Sequence, residues 1–432
     1  MVARIARPVR IEGAVSDHTE SRTKRDEVVV PLRRRRGRDG GSEALDAVVV
    51  GGGVIGLACG WRAARRGLRV RVLERDEPGA GASRVAAGML APVGEANWGE
   101  EALERLAVSS SRAWPRFATE LAGEAELEVG YEPRGALHVA LDRDEAGELR
   151  RRFELMDSLD LGVEWLRPRG CRELEPGLTP SCAAGVHAPG EAAVDPQALL
   201  PALVGALQNA GGELSVQAEV ADPVLDGGRL AGVVTTDGRE HRAEHVVLAA
   251  GAWAGTAAWL PPGARPPVRP VKGQIVTLRG VPEQPICTRI VVSERVYVVP
   301  RADGRVVVGA TVEERGFDLQ VTAGGVLELL REAYRALPEV AELELVDARA
   351  GLRPGTPDNA PLVGPGELDG LVLATGHYRN GVLMAPITAE AVAAYLAREQ
   401  PPPDMEAAHP GRFAGEGAPK LAPAPVTQEA PR

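Results

Sequence analysis

The sequence predicts an α/β protein: a Rossmann-like nucleotide-binding domain with a mostly antiparallel α+β domain inserted into it. Three observations predict it. Residues 46–74 read strand, glycine turn, helix, strand and terminal acid, and a continuous apolar strand at Val246–Ala250 is placed to rejoin the same sheet. Between Val271 and Ala348, strand-like runs recur with turn residues between them, a pattern foreign to a parallel sheet.

The first stretch, DAVVVGGGVIGLACGWRAARRGLRVRVLE, begins with the β-branched run Ala47-Val48-Val49-Val50, which predicts a strand buried on both faces. It turns through Gly51, Gly53 and Gly56, spaced G-x-G-x-x-G, into a helix-period segment Leu57–Arg66 that Gly67 stops. Gly51 permits a tight turn, Gly53 lets backbone approach a pyrophosphate, and Gly56 lets helix and strand pack closely. The free N–H groups of the helix start face the phosphate charge. A second strand, Leu68–Leu73, ends at Glu74, an acid placed to accept hydrogen bonds from a ribose diol. Something carrying adenosine and a pyrophosphate binds here; the fingerprint does not distinguish NAD from FAD.

Composition narrows the class. The chain has 432 residues, 44% of them hydrophobic, room for two or three domains with cores built mainly from Val, Leu and Ala. Net charge is −10, with a surplus of four positive charges in residues 1–44 and about −14 on the rest. An acidic body argues against nucleic acid as a partner. Cys59, Cys171, Cys182 and Cys287 share no C-x-x-C spacing, predicting idle thiols in a reducing cytoplasm, with neither a disulfide framework nor a metal site. No apolar run reaches the length of a membrane span, so a soluble protein without membrane contact is expected.

Residues 1–44 mix charges without periodicity and include Arg33-Arg34-Arg35-Arg36, which reads as a disordered basic extension. After Glu74 and Arg75 the small-residue segment DEPGAGASRVAAGMLAP suggests a second close backbone approach to an extended cofactor, as FAD needs. Helical spacing covers Glu101–Leu121 and Glu145–Leu161, and Gly135–Leu141 reads as a strand in which His138 is a packed or surface residue, not a ligand. Residues 186–216 give a strand, a loop, a helix capped by Asp195-Pro196, and another strand. Runs at Gln274–Leu278, Arg289–Val292, Val296–Val299 and Val306–Val308 form the inserted sheet, and Val326–Ala336 a helix. The chain returns through a Gly-Leu-Arg-Pro-Gly turn, a strand Leu371–Thr375 and a helix Thr388–Ala397; residues 399–432 read as a disordered Pro/Ala-rich tail.

The fingerprint, SRVAAGML at 83–90, VLAAGAWAG at 247–255, VYVVPR at 296–301, GLRPGTPD at 351–358 and GHYRNGVLMAP at 376–386 occur in that order. Together they resemble the D-amino-acid oxidase superfamily of FAD enzymes, and most closely the glycine oxidases of thiamine biosynthesis, over residues 45–398. The resemblance implies an FAD-binding domain at 45–130, 187–265 and 350–398, and a substrate-binding cap at 131–186 and 266–349. It implies non-covalent FAD, since no cysteine follows Cys287. Cofactor contacts would fall on Gly51, Gly53, Val54, Ile55, Gly56, Glu74 and Arg75, then on Ala82, Ser83, Ala87, Gly88, Met89, Val194 and Gly251. Backbone of His377, Tyr378, Arg379, Asn380, Gly381, Val382 and Leu383 would face the flavin, where N–H groups and a helix dipole stabilise negative charge.

Arg353, Tyr297 and Arg379 match the family's substrate-binding and catalytic positions. An arginine suits a substrate carboxylate because its planar fork binds one bidentately and fixes the Cα–H in place. His377 is not required as a base if the amine reacts neutral. The activity implied is oxidation of glycine, and of sarcosine or small D-amino acids, to the imine, then glyoxylate and ammonia, with O2 reduced to H2O2. A homotetramer and a hand-off of the imine to thiazole synthase are implied as well. The alternative is a D-amino-acid dehydrogenase passing electrons to a quinone.

Overall fold

In the computed structural model, residues 45–92, 94 and 99–413 are described. The expectation for residues 1–44 lies outside them.

Two eight-stranded sheets and a small three-stranded one organise the chain. In the first sheet, Leu45–Val50 runs parallel to Val70–Leu73 on one side and to Glu240–Leu248 on the other. Glu213–Ser215 extends it beyond Val70–Leu73, and Leu371–Thr375 pairs in parallel with the end of Glu240–Leu248. The long strand Glu240–Leu248 serves two partners: its start pairs antiparallel with Arg229–Thr235, its end belongs to the parallel core. Val48, Val49, Val246 and Val247 are fully buried, as unbroken apolar runs require in a sheet covered on both faces.

The helix after the first strand spans Val54–Arg65, beginning three residues before the position the periodicity suggested. Its first turn carries Val54 and Ile55, whose burial beside the glycine turn hid the helical register from a search for one apolar face. Trp61 on this helix meets Phe117 of the helix Glu101–Ala125 edge to face at 5.2 Å, and Trp114 meets Phe117 likewise. Three aromatics thus meet at one helix crossing. Asp195 caps the helix Pro196–Asn209 by accepting from the Gln197 amide, with Pro196 in the first turn, as the sequence predicted.

The second sheet runs, in spatial order, Glu344–Gly355, Arg269–Arg279, Arg305–Gly309, Tyr297–Pro300, Ile290–Val292, Ala136–Ala140, Ala184–Ala188 and Glu164–Leu166. All neighbours are antiparallel except Ile290–Val292 with Ala136–Ala140. One face of it packs under the helix Ala323–Ala336 around Val276, Leu278 and Val308. Ile275, Val299, Val307 and Tyr297 share the other face with Ala87, Val85 and Met89. That second face looks toward the segment that follows the first α/β unit, residues 85–89.

Two sequence readings are corrected. Arg353 does not lie in a turn: it sits in the twelve-residue strand Glu344–Gly355, opposite Val271. The flanking glycines are there for close approach, since a Cβ on Gly351 would come to 3.1 Å from Val85 and one on Gly355 to 3.1 Å from Val271. The tail reading fails for residues 403–413. Short 3-10 turns at Pro403–Ala408 and Pro410–Phe413 put Met405 and Ala408 into the main core, and Arg412 binds Asp358 and the carbonyls of Ala360 and Pro361. Local composition hid these contacts because each is made to residues far back in the chain. Residues 414–432 lie outside the described part.

Candidate active site

A cavity of about 650 Å³ runs from the glycine fingerprint to the face of the second sheet. Its first end is built by the fingerprint. Gly51 has φ +112° and its missing Cβ would fall 2.5 Å from the Ala249 carbonyl oxygen, so only glycine allows the two strand ends to meet. Gly53 is the N-cap of the helix Val54–Arg65 and carries no capping side chain, which leaves the positive end of the helix open to the cavity. Ser83 crosses from the next segment to accept from the Val54 amide at 2.9 Å. Glu74 accepts from the Gly52 amide at 2.6 Å and, through its other oxygen, from the Asp76 amide at 2.9 Å. Glu74, the acid expected to meet a ribose, therefore also pins the glycine turn, and it lines the cavity.

Arg75 and Trp253 form the rim, with the guanidinium 4.4 Å from the indole centroid. Ala82, Ala87, Gly88, Met89 and Gly251 line the middle. Three predicted contacts do not line the cavity, and each stands one layer behind it. Gly56 packs on Gly51, where a Cβ would sit 1.9 Å from the carbonyl oxygen. Val194, fully buried, donates its amide to Gly88 at 2.8 Å and holds that turn. The Leu383 carbonyl accepts from Ser110 and Trp114 of the long helix, at 2.7 and 2.9 Å, turning the residue inward.

Ala218, Glu219, Val220 and Ala221 line the first end and were not anticipated. The Ala218 amide donates to the Glu74 carbonyl at 2.9 Å, which brings this loop beside the acid. The strand preceding it pairs with Val70–Leu73, an adjacency that local sequence does not carry. Gly273, Ile275, Trp253 and Trp259 are likewise lining residues that the motifs did not single out.

At the other end stand Arg353 and Tyr297, on two strands of the second sheet, both half-buried. Each lies across a glycine of the neighbouring strand. A Cβ on Gly273 would meet the Arg353 guanidinium at 2.2 Å, and one on Gly309 the Tyr297 hydroxyl at 2.3 Å. Arg353 Nη1 donates to the Thr311 carbonyl at 3.0 Å and, more weakly, to that of Lys272 at 3.4 Å. No carboxylate of the described residues lies at ion-pair distance from it, so the cation is held by neutral acceptors and stays available to an anion.

The segment 376–384 closes the cavity. Gly376 and Tyr378 both take positive φ, +76° and +48°, and the Tyr378 amide donates to the Pro354 carbonyl at 2.9 Å, tying this turn to the strand of Arg353. His377, Tyr378, Arg379, Asn380, Gly381 and Val382 all line the wall. The Arg379 residue is exposed, with its guanidinium carbon 5.2 Å from the Tyr378 ring centroid. His377 is buried, 2.9 Å from the Thr388 hydroxyl, and burial pushes its pKa down to about 3, so the imidazole is neutral under physiological conditions.

All four cysteines are free, buried and outside the cavity lining. Among the described residues no group of three His, Cys, Asp or Glu could hold a metal ion, and no helix is long and apolar enough to cross a membrane.

Residues 46–395 match the DAO family, described as FAD dependent oxidoreductase. The chain is 37% identical over 371 residues to the bifunctional protein ThiO/ThiG of Trichormus variabilis, which covers 85% of this chain but only 55% of the relative. It thus spans about half the length of that protein. It is 36% identical over 361 residues to the glycine oxidase of Geobacillus kaustophilus, covering 82% of this chain and 93% of that one. The crystal structure of glycine oxidase from Geobacillus kaustophilus superposes with a TM-score of 0.80 at 35% identity, covering 87% of this chain and all of the other.

Proposed function

The chain belongs to the FAD dependent oxidoreductase family, and on that premise we propose that it oxidises glycine, with sarcosine and small D-amino acids as further candidates. The observation that carries the reading is Arg353: a cation facing the cavity, held only by backbone carbonyls, beside the Tyr297 hydroxyl. A glycine-like substrate offers one carboxylate to that cation and little else to accommodate.

The cavity residues fit FAD. The helix N-terminus at Gly53 and the side-chain-free turn around it suit a pyrophosphate, Glu74 a ribose, and the backbone from Ala87 to Met89 and from His377 to Val382 a flat ring system. Bound FAD supplies the two-electron acceptor and passes the electrons on to O2. Arg353 anchors the substrate carboxylate and Tyr297 orients it, so that the Cα–H is presented in one direction. The sheet that carries both residues would form the substrate side, and the parallel sheet the cofactor side.

No carboxylate lines the Arg353 end, and His377 stays neutral and bonded to Thr388. The substrate amine must then arrive unprotonated, so that loss of hydride from Cα leaves the protonated imine with no side-chain base required, its N–H proton going to water. Water converts the imine to glyoxylate and ammonia; overall, glycine, O2 and H2O give glyoxylate, NH3 and H2O2. The joined ThiO/ThiG relative supports a further proposal, that the imine is used by thiazole synthase.

Two measurements test this. Purified protein given glycine, sarcosine and D-alanine in air should release H2O2; flavin bleaching without peroxide would replace the oxidase with a dehydrogenase. Arg353→Ala should raise the KM for glycine about 10- to 100-fold, the scale of one charged hydrogen-bonded contact, while FAD content is retained. An unchanged KM would remove Arg353 from the anchor role.

A further inference from the structure

We infer that Gln274 is a positioning residue for the carboxylate anchor: it fixes the loop whose carbonyl aims the Arg353 guanidinium. The inference rests on the reading of Arg353 given above. Gln274 lies in the strand Arg269–Arg279, next to Gly273 but with its side chain on the opposite face, and is 1% exposed. Its amide is fully engaged. The oxygen accepts from the Thr322 amide at 2.8 Å, and the nitrogen donates to Glu313 at 2.7 Å and to the Thr322 hydroxyl at 3.1 Å.

These bonds grip both ends of the loop 311–322. Thr311, at its start, is held most firmly. Its hydroxyl accepts from the Gln274 backbone amide at 2.9 Å and donates to Glu313 at 2.6 Å, and its own amide donates to the Gln274 carbonyl at 3.2 Å. The remaining polar group of Thr311, its carbonyl, receives Arg353 Nη1. A second tie, from the buried Lys272 ammonium to Asp318 at 2.9 Å, holds the middle of the loop. The same loop places Phe317 against Trp253 at the cavity rim, 5.8 Å between ring centroids.

A buried amide with every group bonded has one geometry, and losing it strands several partners at once. Without the side-chain amide the loop keeps its backbone ties to Lys272 and Gln274 but loses the link between Glu313 and Thr322. The better of the two acceptors of Arg353 is then less firmly placed and the guanidinium less well aimed. The cofactor end, on the other sheet, makes no use of these bonds.

The test uses the FAD-loaded enzyme. Gln274→Met and the nearly isosteric Thr311→Val are compared with the parent for KM, kcat and FAD affinity. Binding of glycolate to the oxidised enzyme, read from the flavin absorbance, needs no turnover. We expect KM and the glycolate Kd to rise about tenfold in Gln274→Met and about threefold in Thr311→Val, with kcat and FAD affinity within about twofold. If both quantities stay within twofold in either folded variant, the inference is overturned; should Gln274→Met fail to fold, Thr311→Val decides alone. Arg353→Ala run in parallel separates the two claims. If it loses glycolate while the others keep it, only the Gln274 role falls. If it binds glycolate like the parent, the anchor reading itself falls.

Discussion

His377 shows how burial sets the chemistry of a single residue. It sits in the cavity wall with its ring against Thr388, and its pKa of about 3 lies far below the ordinary histidine value of 6.5. Between these two values the unfolded chain binds a proton that the folded chain does not, so stability is complete above pH 6.5 and declines as pH falls toward 3. The slope approaches about 1.4 kcal/mol per pH unit from this residue, on the order of 2 kcal/mol lost by pH 5. His377→Gln, which keeps a polar partner for the Thr388 hydroxyl, should flatten the urea-denaturation stability between pH 7 and pH 5; an unchanged slope would place the acid sensitivity elsewhere. Residues of this kind were legible in part. The spacing of Gly51, Gly53, Gly56 and Glu74 pointed to one end of the cavity because its logic is local. Val194 was assigned to the cofactor and stands behind Gly88 instead, while Ala218–Ala221 went unnoticed, because which loop reaches Glu74 depends on strand order rather than on neighbours in sequence.

At the scale of elements, glycine and proline misled the reading where they serve packing. Gly351 and Gly355 suggested a turn around Arg353, yet both belong to a strand whose register with Arg269–Arg279 is set by eleven pairs. The Pro/Ala-rich stretch after residue 398 suggested disorder, yet Met405 is 2% exposed in the main core and Ser109 binds Asp404. Removing a methionine side chain from such a site leaves a cavity, so Met405→Ala should lower the unfolding free energy by about 2–4 kcal/mol in a urea titration. No loss would mean that this segment rests on the core without contributing to it. By contrast, the Asp195-Pro196 start and the strand Leu371–Thr375 were readable at once, since cap chemistry and a short apolar run between breakers are local signals.

For the whole molecule, the cavity joins the two large sheets: the fingerprint sheet supplies one end and the second sheet Arg353 and Tyr297 at the other. A cofactor filling that space binds the folded chain and not the unfolded one. At a free FAD concentration one hundred times its Kd the added stability is about 2.7 kcal/mol, and removing FAD should lower the melting temperature accordingly. Equal melting of loaded and stripped protein would show that the two sheets hold together without it. Strand patterning anticipated a nucleotide-binding sheet and a separate, mostly antiparallel one, but not their strand order. Nor could it show that Arg353 and Tyr297 lie over Gly273 and Gly309 of neighbouring strands, where a side chain would collide with them.

The backbone-only support of Arg353 has a consequence for traffic into the cavity. A guanidinium backed by carbonyls presents unpaired charge to whatever diffuses in. Selection therefore begins with charge and only later with shape. Acetate, formate or chloride would meet the same feature that we propose anchors the substrate carboxylate, so each should raise the apparent KM for glycine as a competitor, which steady-state kinetics with added salt would check.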